Sequence, residues 1–177
     1  MQLVNNVLSS FYFERLKNYF DDGSKTQWVY EKNVVSKERE EYDPAFHKAI
    51  FINEKVFDSF VFENCLHILG NCCDKLDLKI NTVLQARSFL TLPIKSNDTR
   101  YPHVDLHYPH SVCLYYLDSC EEENAKTYFY DCENNLIYSQ QPIANTAIVF
   151  DGSTLHASGF PDKNHRRIIN INFQPCI

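Results

Sequence analysis

The chain reads as a mostly β protein, with helices near its N-terminal end buttressing an antiparallel β-sandwich or jelly roll. Three observations predict this. Two stretches with apolar residues at helical spacing lie before about residue 70, and a run of short segments separated by Asn, Asp, Ser, Pro and Gly begins near Thr82. Aromatics are plentiful (11 Tyr, 13 Phe, 1 Trp) while glycine is scarce at 4, which suits a packed β-rich body with few glycine-dependent turns.

The first helix is expected through Tyr19, capped by Ser9 or Ser10, with Phe13, Leu16 and Phe20 on one stripe. Thr26–Tyr30 reads as a strand, and the highly charged Ser36–Tyr42 as an exposed loop. A second helix is expected over Phe57–Leu69, where Phe57, Val61, Cys65 and Ile68 share a stripe and Gly70 offers a stop. The strands that follow are Thr82–Leu90, Ser111–Leu117, Lys126–Tyr130, Leu136–Tyr138, Thr146–Phe150 and Arg167–Phe173. Helices first and strands after give the layered arrangement stated above.

A length of 177 residues suggests one domain spanning 1–177, long enough to bury a real core. The net charge is −6, and the richest basic cluster, Lys163 to Arg167, is short; a phosphate-tracking surface needs a basic face, so nucleic acid is not an expected partner. No basic segment followed by an apolar run opens the chain, and no window nears the roughly 20 apolar residues that span a bilayer, so no membrane association and a cytoplasmic location are expected. Seven cysteines without a Cys-x-x-Cys pair indicate neither a zinc ribbon nor a disulfide framework, but reduced thiols used mostly as core filler.

The chemistry concentrates in Tyr101-Pro102-His103-Val104-Asp105. In an extended segment, His103 and Asp105 leave the same face and can bind one metal. A His-x-Asp arises readily by chance, but His156 follows some 50 residues on, just past a predicted strand, and Arg166 and Arg167 come about ten residues later. Two histidines and one carboxylate on one face of an octahedron suit non-haem Fe(II), leaving positions for a bidentate co-substrate and O₂. A nearby guanidinium can pair bidentately with the far carboxylate of a dicarboxylic acid.

Over about Thr82 to Phe173 the chain resembles the Fe(II)/2-oxoglutarate-dependent dioxygenase superfamily, closest in pattern to its prolyl-4-hydroxylase-like branch. The resemblance rests on His103-Val104-Asp105, on Cys113-Leu114-Tyr115-Tyr116-Leu117-Asp118, on His156, and on Arg166-Arg167-Ile168-Ile169-Asn170. It implies a double-stranded β-helix (jelly-roll, cupin-like) core at about 82–175 with a helical buttress. It also implies His103, Asp105 and His156 as iron ligands and catalytic centre, Fe(II) with 2-oxoglutarate as co-substrate, and ascorbate as a stimulating reductant. Such members couple oxidative decarboxylation of 2-oxoglutarate to substrate oxidation by O₂, usually hydroxylation. Two departures are visible: Asp118 stands where relatives often have Asn, and Glu121–Ala125 replaces a common glycine pair.

Alternation addresses which arginine meets the co-substrate. Ile169, Ile171 and Phe173 form an apolar face shared with Arg167, whereas Arg166, Ile168, Asn170 and Asn172 form the set that a polar metal pocket wants. This favours Arg166 over Arg167, which is expected to run out to solvent. The same logic, with the family's double tyrosine, favours Tyr116 as a hydroxyl partner of the co-substrate. His107 and His110 read as loop residues, Arg87 as either a solvated strand residue or one reaching into the pocket, and Trp28 as core. A catalytically silent jelly-roll binding module and a metal-dependent hydrolase are the alternatives; the intact triad with a basic residue beyond it argues against the first, since decay should strike these residues first, and the second gives Arg166 no role. The primary substrate, a small molecule or a peptide, is not encoded by fold or iron site, and neither is the oligomeric state.

Overall fold

The first helix, α1 (Ser10–Asp21), forms where the spacing places it. Ser9 takes the N-cap position but its hydroxyl makes no capping bond; the Ser9 carbonyl accepts from Phe13 N at 2.9 Å. Leu16 and Phe20 bury, and Phe20 packs on Trp28 with ring centroids 5.8 Å apart, which makes Trp28 part of the core layer. The second helix, α2 (Ser59–Leu76), is longer than expected. Gly70 lies inside it, because the buried stripe of Val61, Cys65, Ile68 and Leu69 continues through Cys72 and Cys73 and outweighs one glycine's cost of about 1 kcal/mol. The stop is Asp77, in the left-handed region at φ 52°. At the other end the Asp58 side chain accepts from Val61 N at 2.9 Å. That carboxylate also receives the Tyr19 hydroxyl at 2.7 Å and pairs with Lys48 Nζ at 2.9 Å, tying both helices to the sheet.

This computed structural model describes residues 1–32, 45–94 and 99–176. The expected Ser36–Tyr42 loop lies outside them. The strands are β1 (Gln2–Val4), β2 (Val29–Glu31), β3 (Ala45–Ile52), β4 (Lys55–Val56), β5 (Ile80–Thr91), β6 (Ser111–Tyr116), β7 (Thr127–Tyr130), β8 (Leu136–Gln140), β9 (Thr146–Asp151), β10 (Leu155–Ser158) and β11 (Arg166–Pro175). The large sheet runs β1-β9-β6-β11-β5-β3-β2 with β4 beside β3, and a three-stranded sheet runs β10-β7-β8; every pairing is antiparallel. Together they form the jelly roll that the pattern predicts. The Thr26–Tyr30 expectation shrinks to β2, while β1, β3, β4 and β10 had not been read as strands.

The long strand β11 divides two cores. Its Ile169, Ile171 and Phe173 pack with Ile50, Cys113, Tyr115 and Val149 of the sheet against the α2 stripe. Its other face puts Ile168 with Leu114, Tyr116, Phe129, Ile148 and Phe150 between the two sheets. Each such aliphatic side chain contributes about 1.5–3 kcal/mol on burial. Five of the seven cysteines (65, 72, 73, 113, 120) are buried and all seven are free thiols, as core filler should be. Among the described residues no helix is long and apolar enough to cross a membrane.

Arg167 corrects an expectation. It is 5% exposed and does not reach solvent. Its Nε and one terminal nitrogen fork onto Asp118 at 2.9 and 2.8 Å, and the other terminal nitrogen meets Asp21 at 2.6 Å. Sharing the helix-side face with Ile169 forces it to bring its charge into that layer, where Asp118 and Asp21 compensate it. This also gives Asp118 a structural role. Glu122, in the stretch that replaces the glycine pair, accepts from Asp162 N, from Lys163 N at 2.9 Å and from Asn164 N at 3.0 Å, and so shapes the loop that delivers β11.

Candidate metal centre

Two extended segments meet at the mouth between the sheets. His103 N donates to His156 O at 3.0 Å and His156 N donates to His103 O at 3.0 Å, a reciprocal antiparallel pair outside the long strands. Farther along, Arg100 N donates to Ser158 O at 2.8 Å, so 99–103 runs beside β10. Such a pair points both side chains to one side. The imidazoles of His103 and His156 accordingly lie 4.7 Å apart, centroid to centroid.

Hydrogen bonding fixes how these rings face. His103 Nδ1 lies 3.0 Å from the Tyr101 carbonyl and His156 Nδ1 lies 3.2 Å from the Thr154 carbonyl. A carbonyl only accepts, so each Nδ1 carries a proton, and in the neutral ring each Nε2 then presents a lone pair. Those Nε2 atoms lie 3.9 Å (His103) and 3.8 Å (His156) from Oδ1 of Asp105. Ligand atoms of the three residues all fall within 4.8 Å of one another, the one such cluster of His, Cys, Asp or Glu found among the described residues. Burial, more than any other influence, holds His156 well below the usual histidine range and so neutral, the form that can ligate. The other Asp105 oxygen, Oδ2, accepts from Asn170 Nδ2 at 3.0 Å. Three acceptors thus converge with their outer hydrogen bonds already made, the donor set and support of a transition-metal site.

The cavity at this centre is lined by His103, Asp105 and His156, by Phe89, Leu114 and Ile168, and by the polar Thr91, Arg100, Thr127, Ser158 and Asn170. Arg166 lies just behind that lining. It is 1% exposed, donates to Ala125 O at 2.6 Å and to Ser158 Oγ, and leaves its Nε buried without a partner. Burial pulls its pKa from 12.5 down to about 10, with Tyr116 opposing and Arg100 adding to the shift. Tyr116, fully buried and pushed up to about 12 by desolvation, donates its hydroxyl to Thr127 Oγ1 at 2.9 Å. The structure therefore gathers all five residues singled out from the sequence, three at the centre and two against its wall through Ser158 and Thr127.

His107 and His110 are not part of the cluster. His110 is buried against Gly152, whose added Cβ would sit 2.3 Å from the His110 ring. Sequence reasoning missed Arg100, which lines the cavity with its guanidinium 4.9 Å over the Phe160 ring, and missed Thr127 and Ser158. Arg100 stands three residues before His103, a proximity that could have flagged it. Thr127 and Ser158 gave no local signal.

No family model matches the chain, and no curated protein matches it. Solved structures do share its fold. A 2OG-Fe(II) oxygenase family oxidoreductase from Burkholderia pseudomallei superposes with TM-score 0.72 at 10% identity, covering 97% of this chain and 84% of that one. A Pseudomonas putida prolyl-4-hydroxylase superposes with TM-score 0.64 at 13% identity, covering 98% and 91%. A viral collagen prolyl hydroxylase from Paramecium bursaria Chlorella virus-1, solved as a 2OG complex, gives 0.61 at 14% identity, covering 99% and 96%. At these identities the likeness is one of fold.

Proposed function

We propose that the protein is an Fe(II)- and 2-oxoglutarate-dependent dioxygenase that oxidises, by hydroxylation, a small-molecule or peptidyl substrate. The observation that carries this reading is the convergence of the two Nε2 lone pairs on Asp105 Oδ1, since three acceptors facing one another repel unless a cation lies between them. His103, Asp105 and His156 would hold the iron, which when bound supplies the one-electron and O₂ chemistry that side chains lack.

The remaining work belongs to the chain. Arg166, a buried guanidinium with no carboxylate among its hydrogen-bond partners in the described residues, suits an anionic ligand, because an uncompensated buried charge is costly. A carboxylate of 2-oxoglutarate would take up its Nε and displace the Ser158 hydroxyl, with Thr127 donating beside it and Tyr116 turning its O–H from Thr127 to the same carboxylate. Arg100 adds positive charge to the same wall. Phe89, Leu114 and Ile168 supply the apolar part of the wall, and the low local dielectric there strengthens these polar contacts. Asp105 fills a position that a halide would need, which favours hydroxylation over halogenation.

A hydrolytic metal centre would use the same trio but leaves Arg166 without a task. The deciding experiment is a turnover assay with Fe(II), ascorbate and 2-oxoglutarate, scoring succinate release against a panel of peptides and metabolites in chloride buffer. Succinate that depends on His156 supports the reading. No 2-oxoglutarate binding in the metal-loaded protein rejects it, and a chlorinated product rejects the hydroxylase assignment.

A further inference from the structure

A second guanidinium stands on the cavity side of the large sheet, away from Arg166. Arg87 of β5 pairs in register with Asn170 of β11, so both side chains leave the same face; Phe89 and Asn170 on that face line the cavity. Asn170 is the residue that holds Asp105. Arg87 is half-buried, makes no hydrogen bond or ion pair with a described residue, and its Nε is buried without a partner. Its Nε is thus shut off from water without a partner on the cavity side, while the terminal nitrogens stay open to an incoming group.

Arg87 is not alone. Asn172, diagonal to it across the pairing and 1% exposed, offers its Nδ2 to Asn170 Oδ1 at 3.5 Å and leaves its own Oδ1 buried and unpartnered. A relay of amides thus runs from Asp105 through Asn170 to Asn172 and ends on an unused acceptor, on the face that also carries the unused Nε donor of Arg87. The groups around Arg87 are His47, near enough for the two to interact electrostatically, and Glu31, which faces His47 Nε2 at 3.5 Å. His47 also carries an unpartnered buried atom, Nδ1. Native interiors hold few such orphans, and three on one strip point to a ligand.

The Arg166 end is a separate place. Arg166 pairs with Thr91, four residues from Arg87 along β5, or about 13 Å at the usual rise per residue. A five-carbon diacid anchored at the metal and at Arg166 is not long enough to occupy this strip as well.

Resting on the dioxygenase reading, we propose that Arg87 and Asn172 form the anchoring subsite for the primary substrate, binding a carboxylate at Arg87 and a neighbouring N–H at Asn172 Oδ1. The substrate class is a compound that carries a carboxylate next to an amine or amide N–H, as in a free amino acid, an N-acyl amino acid or a peptide C-terminus.

The test uses calorimetry on the anaerobic Fe(II)-loaded protein, with and without 2-oxoglutarate. The probes are free L-amino acids, their N-acetyl derivatives and the matching N-acetyl carboxamides. At least one carboxylate probe should bind about 30-fold more tightly than its carboxamide, the size expected for a charge-assisted pair. Free amino acids against N-acetyl derivatives tell the two sources apart. Arg87→Gln should abolish the preference while its melting curve and 2-oxoglutarate affinity match the wild type; Asn172→Leu should weaken probe binding with the carboxylate preference retained. The proposal is overturned if no carboxylate probe binds the wild type, if carboxylate and carboxamide bind alike, if Arg87→Gln keeps the preference, or if it weakens 2-oxoglutarate instead. Arg87-dependent binding of carboxylates in a protein that fails to bind 2-oxoglutarate would sustain the subsite and reject the dioxygenase reading.

Discussion

Asn170 Nδ2 donates to Oδ2 of Asp105 at 3.0 Å, which leaves Oδ1 as the oxygen turned toward His103 and His156. Outer hydrogen bonds of this kind orient a ligand, and their loss typically costs about 10–100-fold in metal affinity. Asn170→Ala should therefore weaken Fe(II) binding by about that range without unfolding the protein. Anaerobic Fe(II) titration beside a melting curve checks it; wild-type affinity would mean that Asp105 is held by other contacts.

His156→Ala removes a ligand outright, so its loss should exceed the roughly 100-fold of an outer-shell change. In the anaerobic complex with Fe(II) and 2-oxoglutarate, the weak visible charge-transfer band should disappear. A variant that keeps band and affinity would refute the three-residue site.

Arg166 and Arg167, adjacent in sequence, should fail differently. Arg166→Ala should raise the apparent constant for 2-oxoglutarate roughly 30-fold or more, through loss of a charge-assisted pair worth about 2–5 kcal/mol. Arg167→Ala should change that constant by less than a few-fold, yet destabilise the fold by about 1.5–3 kcal/mol, because Asp118 loses its two-pronged guanidinium partner and keeps the backbone N–H. Urea unfolding and 2-oxoglutarate titration of both variants separate the two effects. Were Arg100→Ala to carry the co-substrate loss instead, the cavity-lining arginine would be the anchor.

The Tyr19–Asp58–Lys48 cluster predicts an alkaline effect. Burial, with Asp58 hydrogen bonding and charge adding to it, pushes Tyr19 from 10.0 up to about 12. The folded state then binds the phenolic proton more tightly than the unfolded one, so this stability is complete below about pH 10 and lost as pH rises toward 12. The difference in Tm between wild type and Tyr19→Phe should shrink across that interval. A constant difference would show that Tyr19 titrates normally.

Gly159→Ala should be disruptive. The added Cβ would lie 2.0 Å from the Asn124 carbonyl oxygen, a backbone atom that cannot rotate aside. Gly159 N also donates to Lys126 O at 2.9 Å, tying the loop beyond His156 to the segment behind Arg166. Overpacking of this kind costs about 1–3 kcal/mol, so a lower Tm with weakened 2-oxoglutarate binding is expected; an unchanged Tm would mean that the 121–125 segment yields freely.

What could be read in the sequence was what is periodic or local. The two-residue repeat of β11 sorted Arg166, Ile168, Asn170 and Asn172 from Ile169, Ile171 and Phe173, and the structure packs the second set against the helices while Ile168 and Asn170 of the first line the cavity. The order His103, Asp105, His156 was legible because a metal needs those donor types wherever the chain supplies them. The strands that escaped notice, β1, β3, β4 and β10, are short or take their partners from far along the chain, as β1 does from β9, so no local pattern marks them.

The sequence by itself determined the layered fold class, the inward face of β11 and the identity of the converging donors, because alternation and donor chemistry are properties of neighbouring residues. Only the tertiary structure decided that Arg167 would be buried on Asp118 and Asp21, that α2 would run through Gly70 to Asp77, and that Asn170 would orient Asp105 from 65 positions away. The physical reason is common to all three. A buried charge, an uncapped helix end or a carboxylate beside a metal site must be satisfied by whichever group the folded chain brings within reach, and that group is set by the packing of distant segments.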